Sequence, residues 1–305
     1  MSRVMSNENT INIVSLPAGF SRKNVYRNRR NSKENYETVT KHYMLTFETF
    51  YFGFLYAMLG LAAVVFIALQ FVTVAYGMTF NNRWGISINS KLGWWLMETP
   101  VFIAMLIIYG VSLGLGIKPF NVVTSFILLL FLLHYGQRSF VFPLLMKGDS
   151  KMPLSVIFFG IFFNFGNAFM QGCWLFIVSS NEMYQLNWFW SPQFIIGTAI
   201  FFFGMTINMH SDRIIRKLRK SKEDNNYYLP KGFLFERINS SNYFGELLEW
   251  LGFALLTWSF AGLVFFCWAF ANLVPRAKAV YYRYYQFFGE DFIQLKRWKI
   301  FPYIY

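Results

Sequence analysis

Residues 45–76 read LTFETFYFGFLYAMLGLAAVVFIALQFVTVAY, with one acidic side chain, Glu48, and no basic one. About 20 apolar residues cross the hydrocarbon core of a bilayer, so this run is long enough to span one with tilt to spare. Working outward, similar runs follow at about 98–117, 121–146, 152–179 and 193 to beyond His210. Pro100 is read as opening the second of these in a helix first turn. The stretch 243–285 reads either as one short and one long helix, broken near 259–262, or as a single bent hairpin. Trp84, Trp94, Trp95, Trp188 and Trp190 fall near the expected span ends, as interfacial anchors do. The composition agrees, with 55% hydrophobic, 22% aromatic and only 14% charged residues, against about a quarter charged in soluble domains. The expectation is an all-α integral membrane protein, a bundle of six or seven helices, with seven favoured.

Charge location excludes other classes. Of 28 Lys and Arg residues, eight precede His42, eight lie between Ser211 and Asn242, six follow Leu273, and six are scattered between. Basic residues beside apolar spans are the membrane pattern, and no finger spacing or basic groove with interleaved aromatics points to nucleic acid. Residues 1–41 are polar and basic without an apolar core, so they read as a flexible arm rather than a cleavable signal, ahead of a membrane domain over 42–305. The basic 211–242 segment and the basic tail both favour the cytoplasm, which with seven spans puts the N-terminus on the opposite side. Cys173 and Cys267 sit in apolar runs and read as buried hydrophobes. His42, His134 and His210 are too dispersed for a metal motif, and no glycine-rich nucleotide loop occurs.

Ionisable groups at membrane depth are costly and therefore mark candidate sites. Asn208, Asp212, Arg216 and Arg219 are spaced to share one helical face running into the basic segment, suited to a polar, phosphate-bearing ligand or to surface ion pairing. Tyr135 and Arg138 lie one turn apart, with His134 beside them and Phe142 one turn on. Glu98 is expected at a helix N-terminus, where a carboxylate is favoured on electrostatic grounds alone. Asn164, Asn167 and Gln171 form a stripe read as interhelical hydrogen-bond glue in preference to ligand contact. Glu246 and Glu249, one turn apart, need partners from nearby basic segments. These residues describe a polar intramembrane cavity open toward a basic face.

Three segments carry a resemblance. Leu132-Leu133-His134-Tyr135 with Arg138-Ser139-Phe140-Val141, then Gly204-Met205-Thr206-Ile207-Asn208-Met209-His210-Ser211-Asp212, resemble stretches of the steroid 5α-reductases. So does Asn242-Tyr243-Phe244-Gly245-Glu246-Leu247-Leu248-Glu249-Trp250, continued by Gly252, Ala254 and Thr257-Trp258-Ser259. The likeness covers roughly residues 95–305 and is most specific in the C-terminal half. It implies a seven-span reductase of the endoplasmic reticulum membrane, with a cofactor-binding half at about 204–305 facing the cytoplasm and a cavity for NADPH and a lipid. NADPH would reduce the conjugated double bond of a 3-oxo-Δ4 steroid or sterol-like lipid, with hydride passing to the enone β-carbon. Glu98 and Tyr135 would then be catalytic, activating the carbonyl, with Glu98 donating or relaying a proton. Cofactor contacts would fall to Arg138, Asn208, Asp212, Arg219, Tyr227, Asn242, Glu246, Arg276 and Tyr284, and substrate contacts to Met97, Glu98 and Tyr135. No metal is implied.

Three departures stand out, one of them a basic N-terminal arm longer than the family needs. Met97 occupies the position where animal steroid reductases carry Gln, which bears on substrate identity. Ala279-Val280-Tyr281-Tyr282 replaces a His-rich stretch. Alternatives are a trans-2-enoyl-CoA or polyprenol reductase, an isoprenylcysteine methyltransferase binding S-adenosylmethionine, or a non-enzymatic transporter or lipid-binding scaffold.

Overall fold

The computed structural model describes the backbone of residues 22–305 except 149, 220, 222, 223 and 225, and side chains from His42 onward with the same exceptions. Among the described residues there are seven α-helices: α1 Arg22–Phe71, α2 Ser90–Gly114, α3 Val122–Leu145, α4 Leu154–Val178, α5 Pro192–Leu218, α6 Ser241–Thr257 and α7 Phe260–Ile293. Six of them, α1 from His42 onward and α2, α3, α4, α5 and α7, are long and apolar enough to cross a membrane. The shorter α6 is the seventh helix. Large apolar side chains stand exposed on the outer faces, among them Val64 at 60%, Phe162 at 71% and Phe203 at 61%. Such apolar surface is expected where lipid rather than water is the solvent.

Expected and observed boundaries differ in three places that matter. Helix α1 begins at Arg22, inside the stretch expected as a polar arm, whose first 21 residues lie outside the described ones. Helix α2 begins at Ser90, not beside Pro100. Its start is set by a two-strand pairing, β1 Ser87–Asn89 antiparallel to β2 Lys151–Pro153, and by Asn89, whose side chain accepts from the Lys91 amide at 2.9 Å. Pro100 therefore lies in the helix interior, and Glu98 sits about two turns in, beyond the reach of a helix-end field. Helix α5 ends at Leu218, so Arg219, with extended backbone, leaves the face it was expected to share with Asn208 and Asp212.

The 243–285 stretch resolves as a short helix and a long one. Trp258 adopts a left-handed conformation (φ 46°), and Ser259 caps α7 by accepting from the Gly262 amide at 2.9 Å. The α7 helix carries a kink at Gly289 (φ 53°), which only glycine tolerates cheaply. Helix α3 contains a wider turn at Gln137–Val141, where the Phe142 amide bonds five residues back to the Gln137 carbonyl. Pro143 lacks an N–H and its ring would clash with the carbonyl four residues earlier, and the wider turn relieves both.

The tightest contact in the molecule joins α5 and α6. Gly197 and Gly204 face Gly252 and Gly245, and a Cβ on any of the four would collide with the opposing backbone. Small residues let two helices meet backbone to backbone in lipid, and this seam brings Asn208 and Asp212 against the start of α6. The connections 72–89, 146–153 and 219–240 and the C-terminal tail meet at one end of the bundle, tied by bonds such as Asn239 N to Trp298 O at 2.8 Å. The connections 115–121, 179–191 and 258–259 meet at the other, where Tyr184 donates to the Thr257 carbonyl at 2.6 Å.

Candidate active site

Helices α2, α3 and α4 position an acid and a phenol. Tyr135 is held in an aromatic nest by Phe131 and Trp250, with ring centroids at 4.7 and 5.8 Å. Its hydroxyl oxygen accepts from Asn167 Nδ2 at 2.8 Å. Asn164, one turn earlier on α4, donates from Nδ2 to the Met97 carbonyl at 2.7 Å and to Glu98 Oε2 at 3.2 Å. Glu98 keeps some accessible surface while Tyr135 is buried. Behind them, His134 Nδ1 and Glu249 Oε1 lie 2.8 Å apart, both buried, pinning α3 to α6.

A charged cluster adjoins this pair. Arg138 lies 3.6 Å from Asp212 and 4.0 Å from Glu246, with its guanidinium 4.6 Å from the Trp94 ring and 4.8 Å from the Phe142 ring. Cation–π stacking of this kind offsets part of the desolvation of a cation held in a poorly hydrated site. Asn208 Nδ2 donates to the Asn242 carbonyl at 3.0 Å, and Asn242 Nδ2 donates to Asp212 Oδ1 at 3.1 Å. Glu98, Tyr135, Arg138 and Glu246 are close enough to feel one another's charge. Two atoms here are buried without a hydrogen-bond partner, Asp212 Oδ2 and Arg216 Nη1. Buried polar groups are normally satisfied; Asp212 Oδ2 has Arg138 at ion-pair distance, and Arg216 Nη1 keeps an unspent donor.

Arg276 forms a second basic point. Its Nε donates to the Tyr243 hydroxyl at 2.7 Å, and its guanidinium lies 3.3 Å from the centroid of the Tyr76 ring. Burial pushes the Tyr76 phenol up to about 12, against the pull of Arg276, so it stays neutral beneath the cation. Tyr284 is buried one helix face on from Arg276.

Not every expected residue joins the cluster. Arg219 donates from Nη1 to the Lys147 carbonyl at 2.8 Å, and Tyr227 packs its ring on Phe287 at 4.5 Å. Met97 is buried with Trp94, Met152, Val156 and Ile157, its side chain against the bare backbone of Gly160. Trp94 and Tyr76, which sandwich or support the two arginines, were not singled out as site residues from sequence. Each lies near the end of an expected span, where an interfacial aromatic is unremarkable. An aromatic within reach of an intramembrane arginine was the one signal available.

The chain is similar to known proteins. The sequence profile of the family described as 3-oxo-5-alpha-steroid 4-dehydrogenase matches residues 150–305. The chain is 36% identical over 252 residues to a protein of Solanum lycopersicum named steroid 5-alpha-reductase DET2, covering 81% of this chain and 94% of that one. It is 34% identical to 3-oxo-5-alpha-steroid 4-dehydrogenase 1 of Bos taurus, over 78% of this chain and 91% of the relative. With the protein of that name from Mus musculus the identity is 37%, over 76% and 87%. With a profile match over half its length and relatives of this identity along most of it, the chain belongs to the steroid 5-alpha-reductase family of oxidoreductases.

Proposed function

We propose that this protein reduces the conjugated carbon–carbon double bond of a 3-oxo-Δ4 steroid or sterol-like lipid with NADPH. The carrying observation is the juxtaposition of Glu98 and Tyr135, each bonded to an α4 amide, with the Arg138–Asp212–Glu246 cluster. The donor set fits a phosphate-bearing nicotinamide cofactor, because Arg216 Nη1 is buried without a hydrogen-bond partner and Arg276 keeps accessible surface over Tyr76. Arg138, Asn208, Asp212, Asn242, Glu246, Arg276 and Tyr284 would hold it, with Arg219 and Tyr227 contributing from the loop end. Arginine suits phosphate through its planar fork of donors. When bound, the cofactor supplies a hydride for the β-carbon of the enone.

The chain's own residues do the remaining work. Negative charge develops on the carbonyl oxygen as the β-carbon is reduced, and the Tyr135 hydroxyl and a protonated Glu98 donate hydrogen bonds to it. Protonation of the resulting enolate at the α-carbon, directly or by way of the enol formed when the pair passes its proton to the oxygen, completes the saturated ketone. The aromatic nest around Tyr135 excludes water and fixes the phenol. The basic 219–240 segment and tail, at the end of the bundle that carries the cofactor residues, support a cytoplasmic setting for that end, in an endoplasmic reticulum membrane.

The test uses detergent-purified full-length protein with NADPH and a panel of 3-oxo-Δ4 steroids, following saturated product by mass spectrometry. Wild type is expected to turn over, and Glu98→Gln to lose roughly 10²–10³-fold in kcat while still binding NADPH. Absence of NADPH binding to folded wild type overturns the proposal. Binding without steroid product overturns the substrate assignment and directs the search to enoyl thioesters and polyprenols.

A further inference from the structure

The geometry points to Asn164 and Asn167 as positioning residues that hold Glu98 and Tyr135 in the orientation their chemistry needs, an inference that rests on the reading of those two residues above. Three carboxamides line one stripe of α4, yet they do different things. Gln171 donates to the Ala261 carbonyl at 2.9 Å, a plain helix-to-helix tie. Asn164 and Asn167, three residues apart and therefore on one face, instead reach the two reactive side chains.

The direction of each bond is informative. A backbone carbonyl can only accept, so the Met97 oxygen fixes the Asn164 amide with Nδ2 toward α2, and the same nitrogen then reaches Glu98 Oε2. This leaves Oε1 available to a ligand. Pro100 removes one intrahelical bond from the adjoining part of α2, and Asn164 ties that region to α4. The Tyr135 oxygen accepts from Asn167 Nδ2, so its own O–H is not consumed by Asn167 and is free to donate to a carbonyl. Asn164 and Asn167 are themselves buried, at 4% and 0% exposure, which gives the amides little freedom to swing away. The inert role of interhelical glue fits Gln171 but does not account for the other two amides ending on an acid and a phenol.

The experiment compares Asn164→Leu, Asn167→Leu and Gln171→Leu with wild type, and repeats Asn164→Leu in a Glu98→Gln background. Asn164→Leu and Asn167→Leu are expected to lower kcat about 10- to 100-fold while NADPH affinity changes by less than about 2-fold. Asn164→Gln, which restores an amide, should recover part of the loss. Gln171→Leu should lower the thermal midpoint without a loss of kcat per folded molecule. In the Glu98→Gln background Asn164→Leu should add less than about 2-fold, because its recipient is already altered. Undiminished kcat in the single variants, or a full multiplicative loss in both backgrounds, overturns the inference while leaving Glu98's role intact. Should Asn164→Leu fail to fold, Asn164→Ser, too short to reach Glu98, goes through the same cycle. Wild-type turnover by Glu98→Gln would sink the underlying reading and this inference together, a result distinct from failure of the amides alone.

Discussion

The two ends of the bundle solve the same electrostatic problem differently. At one end Arg138 is held by two carboxylates and two aromatic rings, and beside it Arg216 Nη1 is buried without a hydrogen-bond partner. At the other, Lys118 reaches only neutral oxygens, the Ser179 carbonyl and hydroxyl, next to Tyr184, whose hydroxyl accepts from Trp174 Nε1 at 2.8 Å and donates to Thr257. A small cleft lies there, lined by Lys118, Asn121, Ser179 and Tyr184 among others. One end keeps a buried guanidinium donor unspent, as the proposed cofactor site requires; the other closes its polar groups on one another. The difference teaches that the number of charges matters less than whether their bonds are already spent.

The largest expected effect comes from Arg138→Leu. It would leave Asp212 and Glu246 without their cation, costing about 3–5 kcal/mol of stability, as loss of one partner from a buried pair does. NADPH affinity should fall with it. Thermal unfolding in detergent and a cofactor titration check both, and a variant of unchanged stability would erase the contrast between the ends. Next is Gly204→Ala on the α5–α6 seam, where the new methyl meets the Glu249 amide and the Gly245 carbonyl. Forcing the helices apart should cost about 1–3 kcal/mol and weaken NADPH binding by moving Asn208 and Asp212 from Asn242. Retention of both properties would show that the seam does not hold the charged end together.

The smallest effect belongs to Lys118. Burial lowers its amine from 10.5 to about 8. Below pH 8 both folded and unfolded chains hold the proton and the folded state bears the full desolvation cost. Between about 8 and 10.5 the unfolded chain binds more protons, so this group's contribution to stability rises with pH through that window. Lys118→Met should flatten the dependence of the thermal midpoint on pH between 8 and 10, with kcat unchanged. An identical slope in both proteins would mean that the neutral end is open to water after all.

Much of the fold was legible because long apolar runs report membrane helices directly, residue by residue. Boundaries were less so. Pro100 reads locally as a helix start, yet the strand pairing of Ser87–Asn89 with Lys151–Pro153, more than sixty residues away in the chain, starts α2 at Ser90. Glu98 was expected at a helix end, a position it does not occupy, and it is Asn164, from another helix, that gives its carboxylate a specific surrounding. Arg219 followed the correct spacing but lies one residue past the end of its helix, where it bonds to Lys147 instead.

By itself the amino-acid sequence determined that this chain is a bundle of membrane helices with a buried polar stripe, and which segments carry its family's motifs. Hydrophobic run length and local spacing are properties of consecutive residues and need no partner to be read. Tertiary structure alone decided that Gly204 faces Gly245, that His134 meets Glu249, and that two asparagines reach an acid and a phenol on other helices. Those pairings join residues from about 30 to more than 100 positions apart, and their physical cause is the close approach of whole helices, which no local pattern encodes.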